Sequence, residues 1–466
     1  MKIVLIQPWF DTSLFVPPLG LGYISSFLKK YNQEVYIIDG VRDNLSCYNT
    51  LDKVKEINPD VVGISCLSPY FKNAKELATL IKKEGFTIVM GGVHPTFMPY
   101  STLIETQADF VICGEGELAW KELALSNFKN PTAIQGVYDK YSFKSEPENH
   151  LFAQIIENLD DLPFPDWEEL KLNLYKHAPM GQIAKKFPIA PIMTSRGCIY
   201  GCTFCASPNF YQRKIRYRSA ENVISEIKFL KQNYGIKEWQ TLDDNLIYDK
   251  DFAYKLCNLL ISEKINLPWT CQNGLRADKL DEEIAELMYK SGCYMVAIGV
   301  ESSNPQILKN IRKGETIEQI SNAIKVAHNA GMEVQGNFIL GLPGETKETM
   351  EETIKYTKSS KVKRANINIL QLFPGSQLYK DLKGQFDIEY EDAAANKPAY
   401  HNENVSKEDI EKALQKAVRE FWLRPKIFFN TLKYIKYDQI SLVLKRLIQY
   451  NFFGMKFKKI RRKTKP

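Results

Sequence analysis

The sequence contains no run approaching the ~18 uninterrupted apolar residues that a spanning helix needs. It shows no export signal either: the opening MKIVLIQPWF meets a proline before a signal h-region and cleavage site are complete. Nine cysteines in 466 residues are too few for a disulfide framework. Without a signal they fit a reducing cytosol, where clustered cysteines mean metal or redox chemistry, so a cytoplasmic location is expected. Internal repeats and low-complexity tracts are missing too. With 44% apolar and 25% charged residues, the composition excludes disordered and collagen-like chains, and the length accommodates two or three domains.

Acidic residues are nearly missing from one end. Residues 421–466 carry 13 Lys and Arg against one acid, Asp438, and sum to +12; the formal net charge is +7, so residues 1–420 stand at −5. Any electrostatic argument about partners therefore belongs to the tail.

What is present is alternation. Residues 1–120 read as strands at 2–6, 35–38, 61–65, 87–90 and 110–113, with helices at 20–30 and 73–83. Short β-branched runs separated by helices predict a parallel sheet, covered on both faces, that binds ligands at its strand C-termini. Those ends are Gln7-Pro8, Asp39-Gly40, Ser65-Cys66, Gly91-Gly92 and Gly114-Glu115-Gly116-Glu117. A proline-punctuated stretch, Asp160–Asp166, breaks the rhythm. A second series follows, with strands at 191–194, 238–242, 269–272, 294–299, 334–340 and 365–372. Its helices fall at 220–233, 249–263, 279–290, 316–330 and 347–359. Six βα units suit a partial barrel better than a full eightfold one of about 250 residues. Residues 405–424 read as one more helix.

The chemistry concentrates in Thr194-Ser195-Arg196-Gly197-Cys198-Ile199-Tyr200-Gly201-Cys202-Thr203-Phe204-Cys205, just after the first strand of the second series. Three thiols spaced C-x3-C-x2-C on one loop can bind a metal or cluster. A structural zinc wants four ligands, usually as two pairs, and the other six cysteines are scattered singly. A [4Fe–4S] cluster held by three thiolates keeps one iron open for a chelating substrate. Zinc and ordinary buried cysteines stand as the alternatives.

This motif, with Phe204 before its last cysteine, resembles the radical S-adenosylmethionine (SAM) superfamily. Thr241-Leu242-Asp243-Asp244-Asn245, Gln272–Arg276, Gly299-Val300-Glu301-Ser302, Gly336–Glu345 and Phe373-Pro374-Gly375-Ser376 agree with it at successive strand ends. The resemblance implies that Cys198, Cys202 and Cys205 hold the cluster and that SAM chelates its open iron. Reductive cleavage of SAM then gives a 5′-deoxyadenosyl radical that abstracts hydrogen from substrate. It further implies that Arg276 and Glu301 hold the methionine end, that Asp243, Asp244 and Ser302 reach the ribose or other polar groups, and that Gly341 admits the adenine. Phe204 is expected beside the cofactor.

The N-terminal sheet resembles the cobalamin-binding domain joined to many radical enzymes. The matching stretches are Val16–Tyr23, Gly63-Ile64-Ser65, Gly91–Phe97 and Cys113–Glu117, followed by the linker Leu159–Trp167. The residues expected to line that site are Pro8, Ser65, Gly91, Gly92, His94, Gly114, Glu115 and Gly116. One departure concerns D-x-H-x-x-G, which supplies a lower cobalt ligand in many corrinoid proteins. The first histidine here is His94, so residues 1–93 cannot provide it. A sheet without corrinoid stays open as an alternative, and His94 is as readily a packing residue as a ligand. A methylthiotransferase fits poorly, because strand one ends in Gln7-Pro8 where that family places a cysteine.

The expectation is therefore an α/β protein in four parts. Residues 1–145 form a flavodoxin/Rossmann-like cobalamin-binding domain, 146–185 a linker, 186–400 a partial (β/α)6 radical SAM barrel, and 401–466 a helical C-terminal extension with a basic tail. The reaction expected is methyl transfer to an unactivated carbon of a small-molecule or lipid substrate, with flavodoxin or ferredoxin as external electron donor. Ring closure, oxidation or C–C coupling is the alternative within the branch, and a non-catalytic corrinoid or iron–sulfur sensor the alternative outside it. Aromatics interleaved with cations in 421–466 suit peripheral contact with an anionic membrane or a helix docked on the barrel; nucleic acid is disfavoured.

Overall fold

The computed structural model describes residues 1–12, 16–175, 184–386, 388, 390, 397–425, 427, 429 and 440. The expected tail contact, at 421–466, lies largely outside them.

The first sheet has six strands: β1 (Lys2–Gln7), β2 (Glu34–Asp39), β3 (Val61–Ser65), β4 (Thr87–Gly91), β5 (Phe110–Ile112) and β6 (Val137–Tyr138). Their spatial order is β2-β1-β3-β4-β5-β6, parallel except for β6. Ile3, Val4, Leu5 and Ile6 are all buried, so both faces of β1 are covered and its apolar run is continuous rather than alternating. The order reverses between β1 and β3, which opens a crevice at their C-terminal ends. Not foreseen were the helices Cys47–Ile57, Val93–Phe97, Pro99–Thr106 and Glu117–Leu125 and the short strand β6. The helix Cys47–Ile57 buries Thr50, Leu51 and Val54 on one helical face, and Ser46 caps it by accepting from the Asn49 amide. The helix Glu117–Leu125 follows a glycine-rich turn, and the antiparallel β6 is two residues long.

The second sheet begins at β7 (Ile189–Ile192). A small antiparallel hairpin follows, β8 (Ser195–Arg196) with β9 (Arg216–Tyr217). Then come β10 (Glu238–Thr241), β11 (Trp269–Leu275), β12 (Cys293–Glu301), β13 (Glu333–Leu340) and β14 (Arg364–Ile369). The sheet order β14-β13-β12-β11-β10-β7 is fully parallel, with β14 and β7 at its edges. Consecutive helices lie side by side on one face, so the sheet curves as an open barrel. Capping residues foreshadow the helix starts: Ser219, Asp249 and Asp281 each accept from a backbone amide three residues on, and Thr316 with Gln319 forms a capping box. The helix Lys407–Trp422 packs on β14 and on the helix Lys347–Ser359. It is thus the helix of the sixth βα unit, where an extension starting at 401 was expected.

The segment between the sheets is stitched to both. Asp166 pairs with Lys29 at 2.7 Å and accepts from the Ser25 hydroxyl, while the Trp167 indole donates to Glu226 of the barrel at 2.9 Å.

Trp239 and Trp269 stack at 4.8 Å between β10, β11 and their helices, both fully buried. Trp269→Ala is expected to cost about 3–5 kcal/mol, read as a lower denaturant midpoint for the barrel.

Candidate active site

Asp243 at the end of β10 holds the base of the cysteine loop. It accepts from the Thr194 amide at 2.7 Å, the Thr194 hydroxyl at 2.8 Å and the Ser195 amide at 2.7 Å. Burial pushes its carboxyl up to about 6, and these donors pull against that rise. Gly197 adopts φ +106°, and a Cβ there would collide with the Lys214 carbonyl, so only glycine turns the chain from β8 into the cysteines. Farther along, the Thr203 amide donates to the Ile311 carbonyl at 2.9 Å, and the Thr203 carbonyl accepts from the Leu378 amide at 2.8 Å.

Cys198, Cys202 and Cys205 are half-buried, whereas Cys257, Cys271 and Cys293 of the same barrel are buried. Burial raises all three loop thiols, Cys205 to about 12. Backbone amides of Tyr200 and Ser207 donate to the sulfurs of Cys198 and Cys205, and the cations Lys313 and Arg276 favour the Cys202 thiolate. Among the described residues no three His, Cys, Asp or Glu side chains converge as the ligands of one ion would. In an iron–sulfur cube each thiolate has an iron of its own.

A buried charge network sits beside Cys202. Lys313 Nζ lies 3.0 Å from Glu301 and 3.4 Å from Glu315. Arg276 donates to Asp278 and to the Lys313 and Gly314 carbonyls, and lies 3.7 Å above the Tyr200 ring.

A cleft of about 260 Å³ opens at the C-terminal ends of β1, β3, β4 and β5. Ser65, Gly91, Gly92, Gly114, Glu115 and Gly116 line it from the first sheet, and Met193, Arg196, Phe210 and Tyr211 from the barrel. A Cβ added at Gly20 or Gly91 would meet nothing within 4 Å, so the bare backbone faces open space there.

The chain matches the B12 binding domain over residues 12–124 and the Radical SAM superfamily over residues 192–357. It is 32% identical over 463 residues to an uncharacterized methyltransferase of Pyrococcus horikoshii, covering 96% of this chain and 97% of that one. The chain belongs to the B12-binding radical SAM family. It is also 31% identical over 454 residues to the cytidylyl-2-hydroxyethylphosphonate methyltransferase of Streptomyces wedmorensis, covering 84% and 83% of the two chains. Its fold is similar to the radical SAM methyltransferase TsrM of Kitasatospora setae, with TM-score 0.70 and 19% identity over 82% of this chain and 78% of that one.

A radical SAM, B12-binding enzyme uses a [4Fe–4S] cluster, SAM and cobalamin, and the residues present fit these groups. The half-buried thiols with their amide donors suit the cluster. The glycine-floored cleft suits a large flat ring approached by backbone. Glu301, at the end of β12 in the left-handed region (φ +61°), stands beside the loop as expected, but Lys313 already neutralises it. Phe204 is half-buried against the barrel core. Asp244 is exposed and accepts from the Ser207 hydroxyl.

Several expected contacts are committed elsewhere. Arg276, expected to hold the methionine end, is fastened to the Lys313–Glu315 turn and the Tyr200 ring. Asp243 spends its oxygens on Thr194 and Ser195. Ser302 is fully buried; its hydroxyl pairs with Thr353 of the helix Lys347–Ser359 and accepts from the Asn304 amide. Gly341 turns at φ +81°, and a Cβ there would lie 3.0 Å from Ile410, so the close approach it allows is that of the last barrel helix. His94 is buried, stacked 4.2 Å from Phe71 with Nδ1 2.9 Å from the Ser68 hydroxyl, and burial holds its pKa down at about 3. Neither His94 nor Pro8 is among the cleft-lining residues. Lys313, Glu315, Arg196 and Arg216 were missed: single charges in a sequence give no sign of whom they will face. Glu345 was read only as part of a motif. It accepts from the Gly341 and Leu342 amides, and burial pushes its carboxyl up to about 7.

Replacing Cys198, Cys202 and Cys205 together by Ala is expected to abolish iron binding and the visible sulfur-to-iron absorbance of the reconstituted protein. Retention of iron in the triple variant would show the ligands to be elsewhere.

Proposed function

We propose that this enzyme transfers a methyl group to an unactivated carbon of a small polar molecule, and that it does so in the cytoplasm. The supporting observation is that one wall serves two sites: Arg196 lines the cleft and lies two residues ahead of Cys198. When bound, cobalamin supplies a methyl carrier, and the cluster with SAM supplies the means of opening a substrate C–H bond. The chain's own part is to hold these centres on facing surfaces. Gly91 brings bare backbone against the carrier, while Gly92 and Gly114, whose Cβ atoms would meet Cys66 and Phe152, let the turns around it pack closely. Glu301 and Lys313 present paired charges where the amine and carboxylate of a methionine end need partners. The cysteine loop, held by Asp243 and Ile311, closes the barrel mouth.

The concave barrel face favours a polar substrate. Along β13 and β14 the outward residues Val334, Phe338, Ile367 and Ile369 are buried under helices. The alternate, inward positions include Gln335, Asn337, Asn366 and Asn368, which offer neutral donors and acceptors. Gln335 already donates to Asn337 at 3.2 Å, and a lipid tail would offer Asn366 and Asn368 no partner. Among the described residues no helix is long and apolar enough to cross a membrane. The half-buried loop leaves an approach for an external electron donor such as flavodoxin or ferredoxin.

The test is anaerobic turnover of the reconstituted enzyme with methyl-labelled SAM and a small-molecule cell extract. Expected are 5′-deoxyadenosine and a labelled, water-soluble product whose label survives acid and base. Unlabelled product alongside 5′-deoxyadenosine would replace methyl transfer with ring closure, oxidation or coupling. No 5′-deoxyadenosine at all would favour a sensor.

A further inference from the structure

Glu115 and Glu117 stand in the turn after β5, in the run expected to touch cobalamin. Both are instead occupied. One Glu115 oxygen accepts from Arg196 at 2.5 Å and the other from Arg216, while Glu117 accepts from the second Arg196 nitrogen at 2.8 Å. All four side chains are 5–7% exposed. Arg196 and Arg216 are register partners on the β8–β9 hairpin, so their guanidiniums stand side by side. Two cations in that position repel, and the two carboxylates that balance them come from the other sheet. The set is charge-neutral, which favours burying it, although the buried Arg216 Nε has no hydrogen-bond partner. Glu117 also opens the helix Glu117–Leu125, where an anion is favoured. The Arg196 guanidinium in turn lies 4.9 Å over the ring of Tyr23, from the first domain's Leu19–Lys29 helix.

The link from this set to the cysteines is short and stiff. Arg196 is separated from Cys198 by Gly197 alone, whose backbone is wedged against Lys214. At the far strand, Arg216 also donates to the Ile156 carbonyl of the segment joining the domains. Glu115, Glu117 and Arg196 all form wall of the cleft.

We propose that Glu115 and Glu117 are positioning residues rather than corrin ligands. Through Arg196 and Arg216 they fix the cluster loop against the cobalamin cleft, so that filling the cleft orders the loop. This coupling rests on cobalamin occupying the cleft; the clamp itself does not. Coupling of this kind is reciprocal, so a loop set by its cluster also prepares the cleft.

The test is hydrogen–deuterium exchange of residues 197–206 in the iron–sulfur-loaded full chain, with and without hydroxocobalamin, beside hydroxocobalamin affinity from its absorbance. In the unaltered protein the cobalamin is expected to slow loop exchange. In Glu115→Gln the loop is expected to exchange faster even without cobalamin, and the slowing on addition to disappear, while affinity changes by less than about fivefold. A loop that exchanges and responds unchanged in Glu115→Gln overturns the proposal. So does an affinity loss beyond about tenfold with the loop's behaviour unaltered, which would return Glu115 to the corrin. If hydroxocobalamin does not bind the unaltered protein, the cobalamin reading fails, and the faster cobalamin-free exchange still decides the clamp. Should Glu115→Gln not fold, Glu117→Gln, which leaves Glu115 on both arginines, is expected to give the same changes in smaller measure; no change there overturns the proposal as well.

Discussion

Two guanidiniums paired across the two-residue strands of a hairpin must be neutralised before that hairpin can be buried. Here the hairpin belongs to the barrel and the carboxylates to the sheet before it. That single requirement fixes where the halves of the chain meet. It brings Arg196, two residues ahead of Cys198, into the wall of the cleft at the strand ends of the first sheet. The tryptophan stitch at Glu226 and the Asp166–Lys29 pair secure the same orientation from the side.

The fold was legible mostly where burial on both faces, or on one, left a pattern. β3 was read to the residue, and β1, β4 and β13 to within their ends, because runs such as Ile3–Ile6 have no other use. The helices read at 220–233, 249–263 and 316–330 showed themselves by amphipathic spacing, and Ser219, Asp249 and Thr316 cap them. The helix Cys47–Ile57 went unread although Thr50, Leu51 and Val54 share one helical face and Ser46 caps it. The role of the last helix was hidden because amphipathic periodicity says that a helix docks, and is silent about what it docks on.

Within the site, legibility depended on whether a residue's partner was local. The three cysteines stand out in the sequence because their spacing is itself a chemical pattern. Asp243, Ser302 and Gly341 each sit at a strand end, where ligands are met, yet each was claimed by protein: by Thr194 and Ser195, by Thr353, and by Ile410. Arg276 followed the same course with the carbonyls of Lys313 and Gly314. Strand ends in a barrel must hold up the loops that reach over the mouth, and that work takes polar side chains as readily as ligand binding does. Lys313 and Arg196 were missed for the converse reason, since each acquires its meaning only from a carboxylate brought by another element.

The barrel sheet does not close: β7 and β14 are both edges. A closed ring fixes the bore that a substrate must fit, whereas an open one has a seam whose width its flanking loops can reset without disturbing a single ladder hydrogen bond. Substrate size is therefore a property that can drift in this architecture while the metal centre stays fixed. The asparagines of β14, next to that seam, are where a change of diet would first be written.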